Sequence, residues 1–588
     1  MTTRTIVVSL LSLAAACKPS DPPLACTDKP LVAPSSTTFV DISEASGIQA
    51  NNFVPGATNI PINDHSRLGF ADINGDGCDD IVAHSLFPNP QAGIPFTHLV
   101  FLSNCDGTFT DFTQESGLAD VQAGFFAFGD VDNDGDQDLF AGLDIPLPGL
   151  ANSMWLNDGA GHFTQVTSSG VEGELGNTSA GNAVFADFDN DGKLDLFIGN
   201  GQTSYLATNE LHLGNGDGTF RDVSSRLGTQ VASPNNGSVA CDYDNDGDLD
   251  IFVSVYGVSN GGAQKFLFQN DGHGNFTNVA MQAGIASLST GNYWIAAADF
   301  GKSPEPGATP ETFVGGNGFG LACVDVDNDG NLDVVISQIS HPGGDYSRVW
   351  SDPSVLLMNS GEAGGYTFTN VWLDRGLPYN EGDVDAGMVD FDNDGLVDIS
   401  LSRTDKYESG YTTVLQQGYM GLMHQKPDGN FEPLDTMVGL TDEKGGPGMK
   451  AAQNHAWADI DGDGDLDLLV GGRDEGGGRA NRLFRNDLGD LHHWLALRMV
   501  GDGVAVNRDA IGARVTLDFG TTKLVREVQA SRGTYNSMDT RTLYFGLGEL
   551  GCDFTAEVRW PDGTTQTFKA DQTQVDRIAT ITYGEGIN

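Results

Sequence analysis

The sequence predicts an all-β fold: a seven-bladed β-propeller carrying a small C-terminal β-domain. Three observations predict it. A nine-residue acidic pattern, D-x-[DN]-x-D-G-x-x-D, recurs seven times. Short strand signals surround every copy. The strand that the last copy lacks is found at the other end of the array.

The seven copies begin at Asp72, Asp130, Asp187, Asp242, Asp325, Asp390 and Asp459, between 55 and 83 residues apart. Self-similarity at such a period marks a repeat architecture. The longest interval holds a Pro-rich insertion around Lys302 to Thr312. The second copy shows the internal grammar. Phe125 to Gly129 is apolar and small, a strand; the acidic loop follows from Asp130 to Asp138; Leu139-Phe140-Ala141 is the next strand and Met154-Trp155-Leu156 a third. Asn157-Asp158-Gly159-Ala160-Gly161 is a turn, and Phe163 to Val166 is the fourth strand. Four short antiparallel strands per unit describe a propeller blade.

A solenoid would share this period, but the ends of the array argue for a ring. The seventh copy has its acidic loop (Asp459 to Asp467) and a third strand at Leu483-Phe484-Arg485-Asn486, then no fourth strand. Phe39-Val40-Asp41-Ile42 followed by Ser46-Gly47-Ile48 repeats the wording of Phe109-Thr110-Asp111-Phe112 and Ser116-Gly117-Leu118 inside the array. An N-terminal strand that completes the last blade closes a ring and removes both sheet edges.

The flanks divide the rest. Residues 1–17 read as an export signal: Arg4 is a basic lead, Ile6 to Leu13 an apolar run, and Ala14-Ala15-Ala16-Cys17 a lipobox with Cys17 as the acylated residue. An ordinary signal peptide cut near the same place is the alternative. The run is too short to span a bilayer. Residues 18–37 form a Pro/Ser-rich tether. The propeller is expected over 38–490, and a separate small β-domain over 491–588, with Trp560-Pro561-Asp562-Gly563 as a turn between strands. Export, with anchoring at the outer membrane or cell surface, follows from the lipobox; secretion or a periplasmic location follows from the alternative.

Composition narrows the partners. The chain has 588 residues and 78 glycines, fitting many strands and tight turns. A net charge of −51 speaks against nucleic acid, and against a membrane contact other than a lipid on Cys17. Beyond Cys17 the cysteines are Cys26, Cys78, Cys105, Cys241, Cys323 and Cys552. Disulfides are permitted in an exported chain and sequence does not select their pairing. Proximity in the repeat favours Cys78 with Cys105 and Cys241 with Cys323; buried free thiols are the alternative.

Hard cations take six to eight oxygens, often carboxylates, with a Gly where the loop turns. Positions 1, 3, 5 and 9 of each copy supply them: Asp72, Asn74, Asp76 and Asp80; Asp130, Asp132, Asp134 and Asp138; Asp187, Asp189, Asp191 and Asp195; Asp242, Asp244, Asp246 and Asp250; Asp325, Asp327, Asp329 and Asp333; Asp390, Asp392, Asp394 and Asp398; Asp459, Asp461, Asp463 and Asp467. Position 7 can offer its carbonyl and is free in identity, from Cys78 to Lys193 to Leu396. Up to seven Ca2+ ions are expected, one per loop, with a structural role. Asx-turns without metal are the alternative, but clusters this dense would repel if left unneutralised.

The residues seven and five positions before each loop should line the central channel. Six are Gly or Ala and one is Phe125; Asn235 is polar, and His65, Arg67, Asn182, Asp383, Asp385 and Asn454 are polar or charged. The latter six are a candidate ligand pocket or, in a second reading, an acid–base site; an inert, wet channel mouth is the plain alternative. Known catalytic motifs are missing. There is no H-E-x-x-H, and Gly301-Lys302-Ser303 lacks the leading Gly of a P-loop, with Ala296 in its place. His492-His493 reads as part of a linker.

The acidic loops, with lead-ins such as Phe185-Ala186 and a later N-D-G-x-G-x-F, resemble the FG-GAP repeats of integrin α-subunit propellers. The tail, with Asn507-Arg508-Asp509-Ala510-Ile511-Gly512, Leu543-Tyr544-Phe545-Gly546-Leu547-Gly548 and Val558-Arg559-Trp560-Pro561-Asp562-Gly563, looks like the ASPIC/UnbV domain. Together they resemble the cartilage acidic protein family and its bacterial relatives. That resemblance implies an extracellular, calcium-binding propeller and little about ligand. The expected function is a surface adhesion, scaffold or ligand-binding protein whose partner is a protein or glycan. The alternative is a calcium-dependent carbohydrate-active enzyme, a lyase or dehydratase working from the channel mouth.

Overall fold

The computed structural model describes residues 39–48, 67–85, 88–93, 95–176, 179–201, 206–256, 265–286, 318–338, 354–377, 383–403, 420–434, 452–472, 481–488, 492–570 and 575–587. The export signal with Cys17, the tether, Cys26, His65 and the Pro-rich insertion lie outside the described residues.

Among the described residues, seven four-stranded antiparallel sheets of one design run along the chain. The second is built from Phe125–Gly129, Asp138–Gly142, Ser153–Asn157 and Phe163–Gln165, hydrogen-bonded in that order. Its first two strands are buried along their whole length, and its last buries only Phe163. The burial explains the composition. Inner strands covered on both faces read as unbroken apolar or small runs, whereas an outer strand wetted on one face alternates. Each acidic loop joins the first strand of a sheet to the second, so all seven loops occupy equivalent places.

The ring closes as the sequence predicts. Phe39–Asp41 pairs antiparallel with Arg482–Asn486, Phe39 opposite Asn486 and Asp41 opposite Phe484. Phe39 is fully buried and meets Phe391 and Trp457 edge-on, at centroid distances of 6.4 and 6.2 Å. Apolar clusters bridge neighbouring sheets in turn. The last bridge joins Leu68, Phe70 and Ile81 of the first sheet to Ala456, Ile460 and Leu483 of the seventh. The closure gives the last sheet its fourth strand from the other end of the array.

Beyond the ring, Trp494–Val500 pairs antiparallel with Leu543–Gly546 and parallel with Ile578–Thr582. A second sheet runs Lys523–Glu527, Arg514–Asp518, Phe554–Arg559, Thr565–Ala570. Although sequence suggests a separate unit, its core is continuous with that of the ring: Val515, Leu517, Val558 and Trp560 belong to one buried cluster with Phe185, Phe197 and Ile251. Among the described residues the disulfides Cys78–Cys105 and Cys241–Cys323 form, the pairs favoured by proximity. Among the described residues no helix is long and apolar enough to cross a membrane.

Candidate functional site

The second acidic loop shows how its residues are positioned. Asp130 at position 1 accepts the amide N–H groups of Asp134 (3.1 Å) and Gly135 (2.8 Å). Asp134 at position 5 accepts the N–H of Asp136 (3.1 Å). Asp138 at position 9 accepts from Val131 (3.0 Å) with one oxygen and from Asn157, on the third strand, with the other (3.0 Å). The last carboxylate therefore has a structural task beyond the expected cation ligation, stapling the hairpin to the third strand. The same Gly-to-position-1 bond recurs in the other six loops, at 2.8–3.2 Å.

Backbone sterics account for two positions. The Gly at position 6 has positive φ in all seven loops, from Gly192 at 83° to Gly135 at 104°. Position 4, which the pattern leaves free, also has positive φ and is only Gly or Asn: Gly75, Asn133, Asn190, Asn245, Asn328, Asn393 and Gly462. Those residue types tolerate the left-handed region best. The asparagines do a second job that sequence reasoning missed. Asn133 donates to Gly192 O (3.0 Å), Asn328 to Gly395 O (3.0 Å) and Asn393 to Gly464 O (3.1 Å), so these three loops are each tied to the next around the ring. Asn157, Asn270, Asn359 and Asn486, which look like turn residues, reach the preceding blade's loop instead, at 2.7–2.9 Å. The restriction of position 4 to Gly or Asn was visible in the sequence and was the signal for the first set.

The donor set suits a hard cation. Carboxylate oxygens of Asp130, Asp132 and Asp138 lie within 4.8 Å of one another, as do those of Asp187, Asp189 and Asp195, and of Asp242, Asp244 and Asp246. Buried carboxylate oxygens without hydrogen-bond partners remain on Asp132, Asp189, Asp242, Asp244, Asp390 and Asp461. Burial, reinforced by neighbouring carboxylates, pushes Asp72 up to about 6, Asp130 and Asp187 to about 7, and Asp138 to about 8. Buried like charges with unmet oxygens are what a divalent ion would relieve. The loops are not equal. Tail arginines Arg559 and Arg514 both pair with Asp242, the latter at 3.7 Å, and offset part of the charge of loop four.

The channel residues lie differently from the sequence expectation. Arg67, Asp383, Asp385 and Asn454 are fully buried and Asn182 is 1% exposed, so these five do not present a polar mouth to solvent. Arg67 pairs with Asp144 at 2.5 Å and stacks over the Tyr535 ring, 4.0 Å from its centroid. Asp383 accepts from Ser354 (2.7 Å) and meets Arg403 (3.3 Å). The physical reason for the correction is the tail segment 528–542, which enters the ring and hydrogen-bonds the innermost strand of each blade.

That segment acts as a hub. Met538 O accepts from Phe70 N–H in the first blade (2.9 Å), and Arg541 donates to Phe128 O in the second (2.6 Å). Asn536 both donates to and accepts from Ala183 in the third (2.7 Å each). Thr534 bridges to Gly237 in the fourth, and Gln529 donates to Cys323 O in the fifth (2.9 Å). Thr534 Oγ1 donates to Val384 O in the sixth (2.7 Å), and Asp539 accepts from Trp457 N–H in the seventh (2.9 Å). At its centre Arg532 lies between Asp385 (3.2 Å) and Asp539 (2.5 Å). His455 beside them is held neutral by burial, well below its usual range. Two cavities at this seam, about 130 and 250 Å³, fall below the roughly 300–1,000 Å³ of ordinary small-molecule sites.

The ASPIC and UnbV model matches residues 503–588, and the FG-GAP-like repeat model matches 150–198 and 187–253. Cartilage acidic protein 1 of Xenopus tropicalis is 23% identical over 364 residues, which cover 62% of this chain and 47% of that one. The Mus musculus protein of the same name is 24% identical over 366 residues, with the same coverages. The chain thus spans about half the length of the curated relatives it matches. Among solved structures, Bacillus licheniformis rhamnogalacturonan lyase PL11 is 13% identical with a TM-score of 0.38, covering 77% of this chain and 76% of that one. The exotype rhamnogalacturonan lyase YesX is 12% identical with a TM-score of 0.37 and the same coverages.

Proposed function

We propose that this chain, which carries FG-GAP-like repeats and an ASPIC and UnbV domain and is homologous to cartilage acidic protein 1, is an exported, calcium-loaded seven-bladed propeller that works by binding. Its partner is a protein or glycan at the cell surface, reached from a lipid on Cys17. The observation that carries the binding reading is the occupied channel. Residues 529–541 engage all seven inner strands, and Arg67, Asp383 and Asp385 are spent on internal pairs. A catalytic acid or base has to reach substrate, and Asp383, Asp385 and Arg67 are fully buried.

The calcium reading rests on the loops. Asp72, Asn74, Asp76 and Asp80, and their six counterparts, would hold the ions, which supply positive charge where buried carboxylates crowd. The chain's own part is to fix the position 1 and position 9 carboxylates on backbone N–H groups, as with Asp130 and Asp138, and to leave a position 3 oxygen without a hydrogen-bond partner on Asp132, Asp189, Asp244 and Asp461. Bound calcium would pin the blade hairpins and the face on which the tail arginines dock.

The test has two arms. Melting with Ca2+ and with a chelator should differ in midpoint; an unchanged midpoint sinks the calcium reading. Incubation with acidic and neutral polysaccharides should leave no new unsaturated or reducing ends. Calcium-dependent turnover would instead establish the carbohydrate-active enzyme.

A further inference from the structure

The seven loops differ at one register position outside the acidic pattern. The last residue of each third strand donates its amide N–H to the position 9 carboxylate, at 2.7–3.0 Å. The residue before it is Leu102, Leu156 and Leu213 in the first three blades, then Gln269, Met358, His424 and Arg485. Gln269 bonds Asp244, position 3 of its loop, at 2.6 Å, whereas Arg485 pairs with Asp487 at 2.8 Å. In the sixth blade the side chain is an imidazole. His424 Nε2 lies 3.1 Å from Asp392 Oδ2 and 3.5 Å from Asp394 Oδ2.

Those three donor atoms lie within 4.8 Å of one another. Ligand atoms at about 2.0–2.2 Å from a shared ion stand about 3–4.4 Å apart. A second observation points into the same cluster. Asp390 Oδ1 and Asp398 Oδ2 are buried oxygens without hydrogen-bond partners, on residues 5% and 0% exposed. In the second loop the corresponding position 9 oxygen accepts the position 2 amide, as with Val131 and Asp138. In the sixth loop that oxygen is left for another partner, as is Asp250 Oδ2 in the fourth, but only the sixth places an imidazole beside it. The tail contributes Arg526 beside Asp390. Four carboxylates less one guanidinium still leave an excess of negative charge for a divalent ion.

Calcium is a hard ion that takes oxygen, whereas imidazole suits the borderline first-row ions. We propose that the sixth loop is a transition-metal site of the zinc and cobalt class, with His424, Asp392 and Asp394 as ligands and Asp390 and Asp398 completing the charge. This assignment replaces calcium in the sixth loop alone and leaves the calcium reading of the other six loops as it stands.

The experiment uses the full mature chain in millimolar Ca2+, titrated with Co2+. A visible d–d band shifted and intensified relative to aqueous Co2+ reports a protein-bound ion, its change in the His424 variants reports the imidazole, and elemental analysis after dialysis counts both metals. One Co2+ per chain is expected, displaced by Zn2+. His424→Gln, which installs the side chain already present at Gln269, and His424→Leu, which copies blades one to three, should each weaken Co2+ binding at least tenfold. Near-UV dichroism checks that the variants keep their fold, and the Gln variant serves if the Leu variant does not. Absence of a retained Co2+, or its retention by a folded variant, overturns the proposal. So does a Ca2+ gained by His424→Gln without Co2+ binding by the parent, which would make His424 the cluster's built-in counter-charge. The calcium count in the same samples shows separately whether the other loops are loaded.

Discussion

Replacing Arg532 by Met tests whether the hub is held by charge. Arg532 is 5% exposed and donates five hydrogen bonds: two to Asp539, one to Asp385 at 3.2 Å, and one each to Ala386 O (2.9 Å) and His455 O (3.0 Å). Methionine fills most of the volume and removes the charge. Asp385, fully buried, keeps only neutral donors, from Ser537 Oγ (3.0 Å), Thr534 N–H (3.3 Å) and His455 N–H (3.4 Å). Breaking a buried pair from one side costs about 3–5 kcal/mol. A ceiling exists, because Asp385 can escape by taking a proton. From an ordinary value of 3.8, that costs about 4 kcal/mol at pH 7 and about 1.6 kcal/mol at pH 5. The expected loss is therefore about 3–4 kcal/mol at pH 7, shrinking to about 2 at pH 5. Urea unfolding followed by tryptophan fluorescence at both pH values measures it. Adding Asp385→Asn should recover part of the loss at pH 7. A loss below about 1 kcal/mol, or one equal at both pH values, would refute the reasoning.

Three further outcomes are expected. In chelator, the chain should be more stable at pH 5 than at pH 8. Asp72, Asp130 and Asp138 have folded values of about 6, 7 and 8, above the ordinary 3.8, so their contribution is full below about 4 and is lost as pH rises through 6–8. Saturating Ca2+ should flatten this trend, and a melting series over pH with and without the ion checks it. Gly237→Ala should destabilise by about 1–3 kcal/mol and hasten proteolysis of the tail, because its Cβ would sit 2.6 Å from Phe319 O and 2.7 Å from Gly533 O; an unchanged cleavage rate contradicts the docked hub. Cys241→Ser should cost about 2–4 kcal/mol in urea unfolding, since the Cys241–Cys323 bridge spans 82 residues, and non-reducing peptide mapping should find that pair.

Much of this was legible in the sequence because its signals are local or periodic. The nine-residue pattern, the strand grammar around it and the duplicated words at Phe39–Asp41 and Phe109–Asp111 define the blades and their closure without any long-range contact. Position 4 was legible in principle, since a left-handed residue leaves a Gly or Asn trace. The fate of the channel was not. Counting back from each loop places Arg67, Asn182 and Asp385 on inner strands correctly, but burial depends on what covers them, and the cover lies far along the chain: Asp385 meets Arg532 across 147 positions.

By itself, then, the sequence determined a ring of acidic loops and a β-rich tail, because hairpins, carboxylate spacing and strand alternation are set within a few residues. Tertiary structure decided that segment 528–542 fills the channel and that His424 turns toward Asp392 and Asp394. Both depend on which strands lie side by side, and neither leaves a pattern within any one stretch of chain.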